Sequence, residues 1–408
     1  MTTESALTPQ ISNARRRVRD ITLYGCGGIS AMSIAAVAPS LPEMTQHFAD
    51  TADIDLLARL VVSIPTLLLA LSGPVVGVVA DRIGRKLLLV FALLLYASAG
   101  VLPVFLNDLH GILGSRIALG LGMGILFTLA PALLADYHDD IPARRKALAT
   151  YAASTAAGGV LFVLLGGVLS DIHWRAPFLL YLAGLLFLPS LIATITEPEP
   201  QAVSSEAAAA PQVSVRTPWF ALFAIYLMVA ATGGVFLQMP LNLPFLLVDI
   251  GVTQASIAGY AIAWPLALMA LCGPLFPKFR ARLSSAWIYS FIAGGLAIGY
   301  ALLATANSLA LVLLALFAFG VGMSQMYANT STWLMGLTDP KYRTRVLGGL
   351  TTAIYLGQFV LPFVAQPIIR DAGIRNSFIV LVGVLIFFAL AAPLFSAVAT
   401  RRSKTQPS

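Results

Sequence analysis

Charged residues are scarce in this chain. Only 11% of its 408 residues are Asp, Glu, Lys or Arg, whereas 58% are hydrophobic. A soluble domain carries about 25% charged residues, so this chain cannot cover an ordinary water-exposed surface. Such a composition excludes a soluble globular protein and indicates a protein of the membrane.

Cysteine is almost absent as well. Cys26 and Cys272 are the only two, and each lies within an apolar stretch, which excludes a disulfide framework and a cysteine-based metal site. No motif unites the four histidines, which fall in loops or at predicted helix ends: His47, His110, His138 and His173. A membrane-embedded enzyme would need such groups to converge at one depth. We therefore expect no enzyme, no metal site and no cofactor.

Long apolar stretches recur throughout the chain. A helix needs about 20 mostly apolar residues to cross a bilayer, and barrel strands would alternate and be shorter. Twelve stretches qualify: roughly 21–43, 57–80, 87–106, 111–136, 147–170, 177–195, 218–240, 255–277, 285–306, 309–334, 347–369 and 377–399. The sequence predicts an all-α integral membrane protein with twelve transmembrane helices.

The basic residues test this topology. If both termini are cytoplasmic, all but five of the 25 Lys and Arg residues fall in cytoplasmic segments. The exceptions lie at or near the outer side: Arg59, Arg116, Arg175, Arg370 and Arg375. This bias predicts a multi-pass protein with both ends inside the cell. It also explains the net charge of +7, so no nucleic-acid partner is needed.

The chain repeats itself with an offset of 200 residues. The sequence GLGMG at 120–124 recurs as GVGMS at 320–324, and the Gly-Pro pair at 73–74 recurs at 273–274. DIHWRAPF at 171–178 matches DAGIRNSF at 371–378, keeping Asp, Arg and Phe in register. Two six-helix halves related by an axis along the membrane normal form a known transporter plan.

Five segments follow from the repeat. Residues 1–20 form an N-terminal cytoplasmic tail, 21–195 the first half, 218–399 the second half and 400–408 a C-terminal tail. Residues 196–217 lie between the halves and are rich in Pro, Ser, Ala and Glu. This composition is typical of a flexible linker, which leaves the halves free to rock against each other.

The stretch GPVVGVVADRIGRK, residues 73–86, joins predicted helices 2 and 3. Gly73 and Gly77 leave one helix face bare, so that a neighbour can approach closely. Asp81 follows at the helix end, where a carboxylate can pair with the positive N-terminus of another helix. Gly84 permits the turn, and three basic residues fix topology: Arg82, Arg85 and Lys86. Taken alone, the loop could be a simple positive-inside hairpin.

Together with the twelve spans and the repeat, this loop closely resembles the signature loop of the major facilitator superfamily. The resemblance implies that Asp81 stabilises an outward-facing state by docking against helix 11. It also suggests Asp136 as a partner for Arg85, although a solvated helix-end carboxylate explains Asp136 equally well. Further implications are transport by alternating access, a small-molecule substrate, a monomer, and the inner membrane of a bacterial-type cell.

Arg116 is the most informative single residue. It lies in predicted helix 4, and an intramembrane arginine indicates a functional site by default. The sequence RIALGLGMG, which begins at Arg116, resembles a helix 4 motif of the same superfamily whose arginine is linked to proton coupling. The alternative is an arginine that reaches the outer headgroups along its stem.

Predicted helix 10 is the most polar span. The superfamily lines its central cavity with helices 1, 4, 7 and 10, assisted by 2, 5, 8 and 11. The candidates for that lining are Tyr151, Gln238, Trp264, Gln325, Tyr327, Asn329, Tyr355 and Gln358. Gln325 and Asn329 share a helix face, whereas Tyr327 points elsewhere. Interhelical hydrogen bonding is the alternative role for each of these residues.

Acidic residues are missing from the middle of every predicted span. Many proton-driven transporters need a buried carboxylate to carry the proton. The helix 5 motif of antiporter branches is also incomplete, because Phe162 and Val163 replace its Gly-Pro pair. The resemblance implies efflux of small organic or amphipathic solutes by proton antiport. The missing carboxylate and Gly-Pro pair, together with Arg116, favour the alternative, an importer or facilitator of organic anions or metabolites.

Overall fold

The computed structural model describes residues 13–138, 140–197 and 218–404. All regular secondary structure in these ranges is helical. Most of the predicted linker, residues 198–217, lies outside the described residues, as do positions 1–12 and 405–408 of the predicted tails. The described chain forms the expected all-helical membrane architecture.

Twelve spans, numbered α1 to α12, follow one another along the chain. Their bounds are α1 Asn13–Ala35, α2 Ile54–Ile83, α3 Arg85–Val101, α4 Leu109–Asp136, α5 Ile141–Ser170, α6 Ala176–Thr194, α7 Trp219–Asp249, α8 Ala255–Cys272, α9 Ser285–Thr305, α10 Leu309–Leu337, α11 Arg343–Ala372 and α12 Ile374–Lys404. The first twelve residues of α6 form a 3₁₀ helix, and α10 is interrupted between Met323 and Met326.

Eleven of these spans, α2 to α12, are long and apolar enough to cross a membrane by themselves. The exception is α1, which begins eight residues before the predicted span and so includes the arginine-rich segment at 15–19. Its apolar part continues past Ala35, through a 3₁₀ turn at Ala38–Ser40, into the short helix Leu41–His47. Pro39 accounts for the interruption, because proline has no N–H to donate within a helix.

The 200-residue repeat is also a repeat of packing. A Cβ on Gly120 would lie 2.9 Å from the Cα of Pro65, and a Cβ on Gly320 would lie 2.8 Å from the Cα of Pro265. The glycine and the proline of the second contact each stand 200 residues after their counterparts in the first contact. Only glycine permits the backbones of α4 and α2, and those of α10 and α8, to approach this closely.

Two buried tyrosines repeat a hydrogen bond. Tyr96 in α3 donates to the carbonyl of Ile29 in α1, and Tyr300 in α9 donates to the carbonyl of Val235 in α7. Both tyrosine side chains are completely buried. Each half is thus a six-helix bundle fastened in the same way.

The helix ends divide into two sets, and we name them by their charge. The basic end carries the α2–α3 loop with Arg85, the start of α5 with Arg144, and the start of α11 with Arg343. The far end carries the α1–α2 and α7–α8 connections. Four helices form the seam between the halves: α5 against α8, and α2 against α11.

The seam is closed at the far end. A Cβ on Gly167 in α5 would lie 2.9 Å from the Cα of Gly259 in α8. The Asp171 carboxylate accepts a hydrogen bond of 3.2 Å from the Ser256 N–H at the start of α8. Backbones in direct contact leave no room for a solute to pass between α5 and α8 at this end.

The seam is open at the basic end. Among the described residues, no neighbouring helix has an atom within 4 Å of the place where a Cβ on Gly73, Gly77 or Gly348 would stand. Nearer the middle of the membrane, the Thr352 hydroxyl of α11 donates to the Ala70 carbonyl of α2 at 3.1 Å. α2 and α11 are therefore in contact at Ala70 and Thr352 and separate from each other toward the basic end, where Gly73, Gly77 and Gly348 lie.

The packing repeat yields a stability test within one helix. Gly120→Ala should lower the melting temperature of the purified protein, because overpacking of this kind costs about 1–3 kcal/mol. Gly114→Ala in the same helix is the control, since nothing lies within 4 Å of a Cβ there. Equal melting temperatures for the two variants would show that the α2–α4 approach does not limit stability.

Candidate functional site

Four aromatic side chains from both halves lie at a similar depth, and two of them are in ring contact. We call Phe127 of α4, Tyr151 of α5, Tyr327 of α10 and Tyr355 of α11 the aromatic cluster. The rings of Phe127 and Tyr355 are in edge-to-face contact, with centroids 6.1 Å apart. Tyr355 lies within electrostatic range of both Tyr151 and Tyr327. At 1.5 Å per residue, all four lie about 15 Å inside the basic ends of their helices.

The members of this cluster differ in exposure, since Tyr151 is 7% exposed with a buried hydroxyl. Tyr327 is 61% exposed, although it stands in the middle of a span. On the first half, Ala152 and Ala153 of α5 are exposed beside Tyr151. Aromatic faces together with phenol hydroxyls form a lining that suits flat organic molecules carrying a polar group.

Deeper toward the far end, the lining changes from aromatic rings to amides. Gln238 of α7 is completely buried, and its Oε1 accepts a hydrogen bond of 2.7 Å from Asn242. Gln358 of α11 is 4% exposed. Gln238 Nε2 and Gln358 Oε1 have no hydrogen-bond partner among the described residues. They are two of eleven such buried side-chain atoms in the described residues, and their place on α7 and α11 makes them candidate ligand contacts.

Arg59 lies just beyond these amides, at the far end of α2. Its Nε donates to Asn242 Oδ1 of α7 at 3.0 Å, and its Nη1 donates to the Asp55 carbonyl at 2.6 Å. The guanidinium also lies 4.8 Å from the ring centroid of Phe245. Only 3% of Arg59 is exposed, so this buried cation links the two halves where the seam is closed.

Arg116 lies away from the aromatic cluster. Its Nη2 donates to the carbonyls of Ala99 and Gly100 at 2.9 and 3.0 Å, in the last turn of α3. The guanidinium lies 5.0 and 5.3 Å from the ring centroids of Phe178 and Tyr181 in α6. The negative end of a helix and two aromatic faces thus stabilise the cation within the first half. With 1% exposure, it neither reaches the headgroups nor faces the seam in this conformation.

Gln325 and Asn329 hold helices together instead of facing the open seam. Gln325 Nε2 donates to the Cys272 carbonyl of α8 at 2.7 Å, and Asn329 Nδ2 donates to the Ser285 carbonyl of α9 at 2.9 Å. Both side chains are completely buried. The interhelical alternative considered for these two residues therefore describes them in this structure.

Trp264 is separated from the other cavity candidates. It lies in an apolar groove between α8 and α10, beside Tyr260, Leu313 and Phe317. Its side chain is 41% exposed. The groove lies in the far half of these helices, where the seam is closed, so the structure does not bring Trp264 to the aromatic cluster.

The loop between α2 and α3 has polar partners on one side only. Arg85 donates to the Asp136 carboxylate at the end of α4. The Glu197 carboxylate accepts from the N–H groups of Arg85 and Lys86, at 2.7 and 3.1 Å, and so caps the N-terminus of α3. Gly84 has φ +87°, a left-handed conformation that favours glycine at this turn. Asp81, before the turn, is exposed.

A second polar group ties α1 to α4 at the basic end. Asp20 pairs with Arg19, and His138 Nε2 lies 3.3 Å from the Asp20 carboxylate. The Arg19 guanidinium stacks 3.9 Å from the centroid of the Tyr137 ring. Burial raises the pKa of Tyr137, so its hydroxyl stays protonated and donates to the Thr196 carbonyl. These contacts connect elements of the first half to one another and do not cross the seam.

Comparison with known proteins settles the family. The family model described as Major Facilitator Superfamily matches residues 23–295 and 242–408, nearly the whole chain. The chain belongs to the major facilitator superfamily. Members of this superfamily are transporters, so the protein is a membrane transporter and not an enzyme.

Curated relatives match part of this transporter. It is 30% identical over 175 residues to the multidrug efflux pump LfrA of Mycolicibacterium smegmatis, which covers 42% of this chain and 34% of that protein. It is 32% identical over 181 residues to the multidrug resistance protein MdtG of Enterobacter lignolyticus, with coverage of 43% and 42%. The matches therefore span less than half the length of these relatives.

Solved structures match the transporter almost completely. A bacterial homologue of the human lysosomal transporter Spinster, in an inward-facing and occupied conformation, has a TM-score of 0.78 at 17% identity. That match covers 98% of this chain and 100% of the other. The D-xylose-proton symporter has a TM-score of 0.76 at 16% identity, covering 92% and 97%. At these identities the likeness shows a shared fold.

Several residues of the transporter's site had no clear signal in the sequence. Phe127 is one apolar residue within an apolar helix, and Glu197 stands in an acidic, proline-rich segment. Arg59 could have been found, because it lies inside the predicted span 57–80 and an intramembrane arginine is a functional candidate. Asn242 could also have been found, because it is an amide four residues after Gln238 and so lies on the same face of the helix.

The surroundings of Arg116 lead to a stability test. Arg116→Met should lower the melting temperature of the purified transporter, because it removes hydrogen bonds from a charged group that contribute roughly 1.5–3 kcal/mol. Transport per folded molecule should persist, since the side chain lies away from the seam. Arg116→Lys, which keeps the charge, should fall between Met and wild type. A stable Arg116→Met variant without transport would contradict this assignment and favour coupling or substrate binding.

Proposed function

We propose that this transporter exports small organic or amphipathic solutes by alternating access, in exchange for protons. The observation that carries the proposal is the asymmetry of the seam, closed at the far end by glycine contacts and open at the basic end. A solute thus reaches the aromatic cluster from the basic end only. Rocking of one half against the other would reverse this access.

The basic end would close through the α2–α11 pair. These helices run antiparallel, and the contact between Ala70 and Thr352 fixes their register. Continued toward the basic end, that register sets Gly73 near the level of Gly348 and Asp81 near the level of Lys341. In the proposed closed state, the bare glycine faces meet and Asp81 docks at the positive N-terminus of α11.

Gating roles follow for the residues of the α2–α3 loop. Gly73 and Gly77 provide the close approach, Gly84 the turn, and Asp81 the docking charge. Arg85 and Asp136 fasten the loop to α4, while Arg82 and Lys86 hold this end on the cytoplasmic side. The basic end would therefore face the cytoplasm of a bacterial-type cell, with the transporter acting as a monomer in the inner membrane.

Export of amphipathic compounds agrees with the lining and with the relatives. Tyr151, Tyr327 and Tyr355 offer aromatic faces and hydroxyls, and the amides Gln238 and Gln358 lie beyond them. The relatives LfrA and MdtG are named a multidrug efflux pump and a multidrug resistance protein. No described Asp or Glu lies in the middle of a span, so a strongly cationic solute would lack a counter-ion.

That same shortage of carboxylates favours a second candidate, an importer or facilitator of organic anions or metabolites. Protons usually need a buried acid to cross with a solute. In the described chain, the acids near the far end of the seam are Asp55, which lies 3.8 Å from Arg59, and Glu43 and Asp171, which line a crevice of about 170 Å³. Proton exchange would have to pass through this crevice or involve the solute itself.

Everted membrane vesicles with an acidic lumen distinguish the two candidates. A pH-sensitive dye in the lumen would report proton movement as amphipathic cations, neutral compounds and organic anions are added one by one. Export by antiport predicts alkalinisation of the lumen that is absent from vesicles lacking the protein. Equilibration of labelled solute without any pH response would identify a facilitator and overturn the antiport proposal.

The docking role of Asp81 gives a second test. Asp81→Asn removes the charge that would meet the α11 N-terminus, an interaction contributing about 0.3–2 kcal/mol. The closed basic end then becomes less populated, and transport should fall by about 2- to 30-fold. Asp50→Asn, an exposed site at the far end, is the control for loss of one negative charge. Wild-type flux in Asp81→Asn would contradict the docking role.

A further inference from the structure

A directed chain of hydrogen bonds crosses the seam at the far end. Arg59 Nε donates to Asn242 Oδ1 at 3.0 Å, and Asn242 Nδ2 donates to Gln238 Oε1 at 2.7 Å. None of the three residues is more than 3% exposed. The chain thus runs from a cation of the first half, through two amides of the second half, toward the aromatic cluster.

Arg59 fixes which group donates and which accepts in every hydrogen bond of this series. A guanidinium carries donors only, so Asn242 must turn its oxygen toward Arg59. Its NH₂ group then faces Gln238, which must accept with Oε1 and point Nε2 away. An isolated amide could adopt either orientation, but here the charge selects one.

The Gln238 Nε2 donor is left without an acceptor among the described residues. Arg59 and Ser63 are one turn apart on α2, and Asn242 and Gln238 are one turn apart on α7. Because these helices run antiparallel and are joined by the hydrogen bond between Arg59 and Asn242, Ser63 and Gln238 lie at a similar level, one turn toward the basic end. Ser63 Oγ is likewise buried without a hydrogen-bond partner.

A third unpaired atom lies at this depth on α11. Gln358 is about 9 Å along its helix from Thr352, and Ser63 is about 10 Å along α2 from Ala70. Since Thr352 and Ala70 are in contact, Gln358 and Ser63 reach the same level. Buried polar groups within the bilayer are unfavourable when unpaired, so a polar ligand group bound at this level would satisfy them.

We infer that Arg59 is a positioning residue that makes Gln238 present an N–H donor to the ligand, so that the state closed at the far end selects compounds whose leading group is a hydrogen-bond acceptor, such as a carboxylate or carbonyl. This inference rests on the proposed function and narrows its substrate class. It also assigns a specificity role to Arg59 and Asn242.

Opening of the far end would cancel this selection. Separation of α2 from α7 removes Arg59 from Asn242, and both amides become free to turn. The Gln238 N–H donor is then no longer oriented in advance of ligand binding. The affinity for the ligand falls in the state open at the far end, which is the state from which an exporter must release its solute. The same contact that closes the seam therefore adjusts affinity to the conformational state.

Asn242→Asp tests the relay by replacing a single NH₂ group with an oxygen. The introduced carboxylate would accept from Arg59 at least as strongly, because the hydrogen bond becomes charge-assisted. It cannot donate, however, so Gln238 would turn its Nε2 toward this carboxylate and present Oε1 to the ligand. The introduced negative charge would favour the amine by itself, and it would also face the Gln238 carbonyl oxygen, to which Asn242 Nδ2 donates at 3.0 Å. The double variant Gln238→Leu/Asn242→Asp measures this charge effect alone, so the relay predicts a larger shift toward the amine when Gln238 is present.

The probes are two matched fluorescent tricycles, 9-anthracenecarboxylate, which only accepts, and 9-(aminomethyl)anthracene, whose ammonium only donates. Fluorescence anisotropy would measure their binding to the full-length protein in lipid nanodiscs. Wild type should bind the carboxylate more tightly, and Asn242→Asp should shift the affinity ratio toward the amine by about tenfold or more, as expected for a hydrogen bond to a charged group.

Two further variants serve as controls for the measured affinity ratio. Gln238→Leu removes both donor and acceptor, so it should abolish the preference without reversing it. Arg375→Gln is the matched control, because this far-end arginine donates to the Ala304 carbonyl within the second half and lies outside the relay. Its affinity ratio should equal that of wild type.

Three outcomes would overturn the inference: binding of neither probe to wild type, a wild-type preference for the amine, or, in a folded Asn242→Asp protein, a shift no larger than that of the double variant. The proposed function fails separately. Vesicles that respond to added compounds, together with such a shift, would leave export standing without the relay. A larger shift without any flux would support the relay and reject export.

Discussion

The cost of a charge in hydrocarbon governs this structure. Almost all described charges lie at the two ends of the helices, because a charge at the bilayer centre costs about 2.5 kcal/mol or more unless it is paired. Two arginines near the far end are buried, and their surroundings differ. Arg116 is stabilised within one half by α3 carbonyls and aromatic rings, whereas Arg59 pairs with Asp55 of its own helix and with an amide of the other half. Rocking of the halves would preserve the first arrangement and must break the second.

Closure at the two ends therefore depends on different chemistry. The far end combines backbone contact at Gly167 and Gly259 with a few directed hydrogen bonds. At the basic end, α2 offers Gly73 and Gly77 followed by Asp81, while the equivalent position in the second half is Ala281. The repeated packing of glycine against proline gives two similar halves, and the unmatched charges make the two states of the seam unequal.

The sequence predicted the fold more completely than the site. Span lengths, basic-residue placement and the 200-residue offset depend on composition and period, so they are visible without tertiary contacts. The pairing of Gly120 with Pro65 and of Gly320 with Pro265 shows how closely the offset carries into packing.

Side-chain direction was less accessible. Helix periodicity placed Gln325 and Asn329 on one face, but α10 is interrupted at Ser324 and Gln325, so the period does not continue through that point. Both amides turn to neighbouring helices instead. Arg116 illustrates the same limit, because an intramembrane arginine looks identical in sequence whether it faces a cavity or a helix end.

The central claim is that one end of the seam closes as the other opens. Double electron–electron resonance on spin labels in lipid nanodiscs measures this directly, with one pair at Arg145 and Arg282 for the basic end and one at Asp50 and Thr253 for the far end. As the pH is lowered and a transported compound is added, the basic-end distance should shorten while the far-end distance lengthens. A reference pair within the first half, Arg82 and Arg145, should stay constant. Distances that change together at both ends, or at neither, would contradict alternating access.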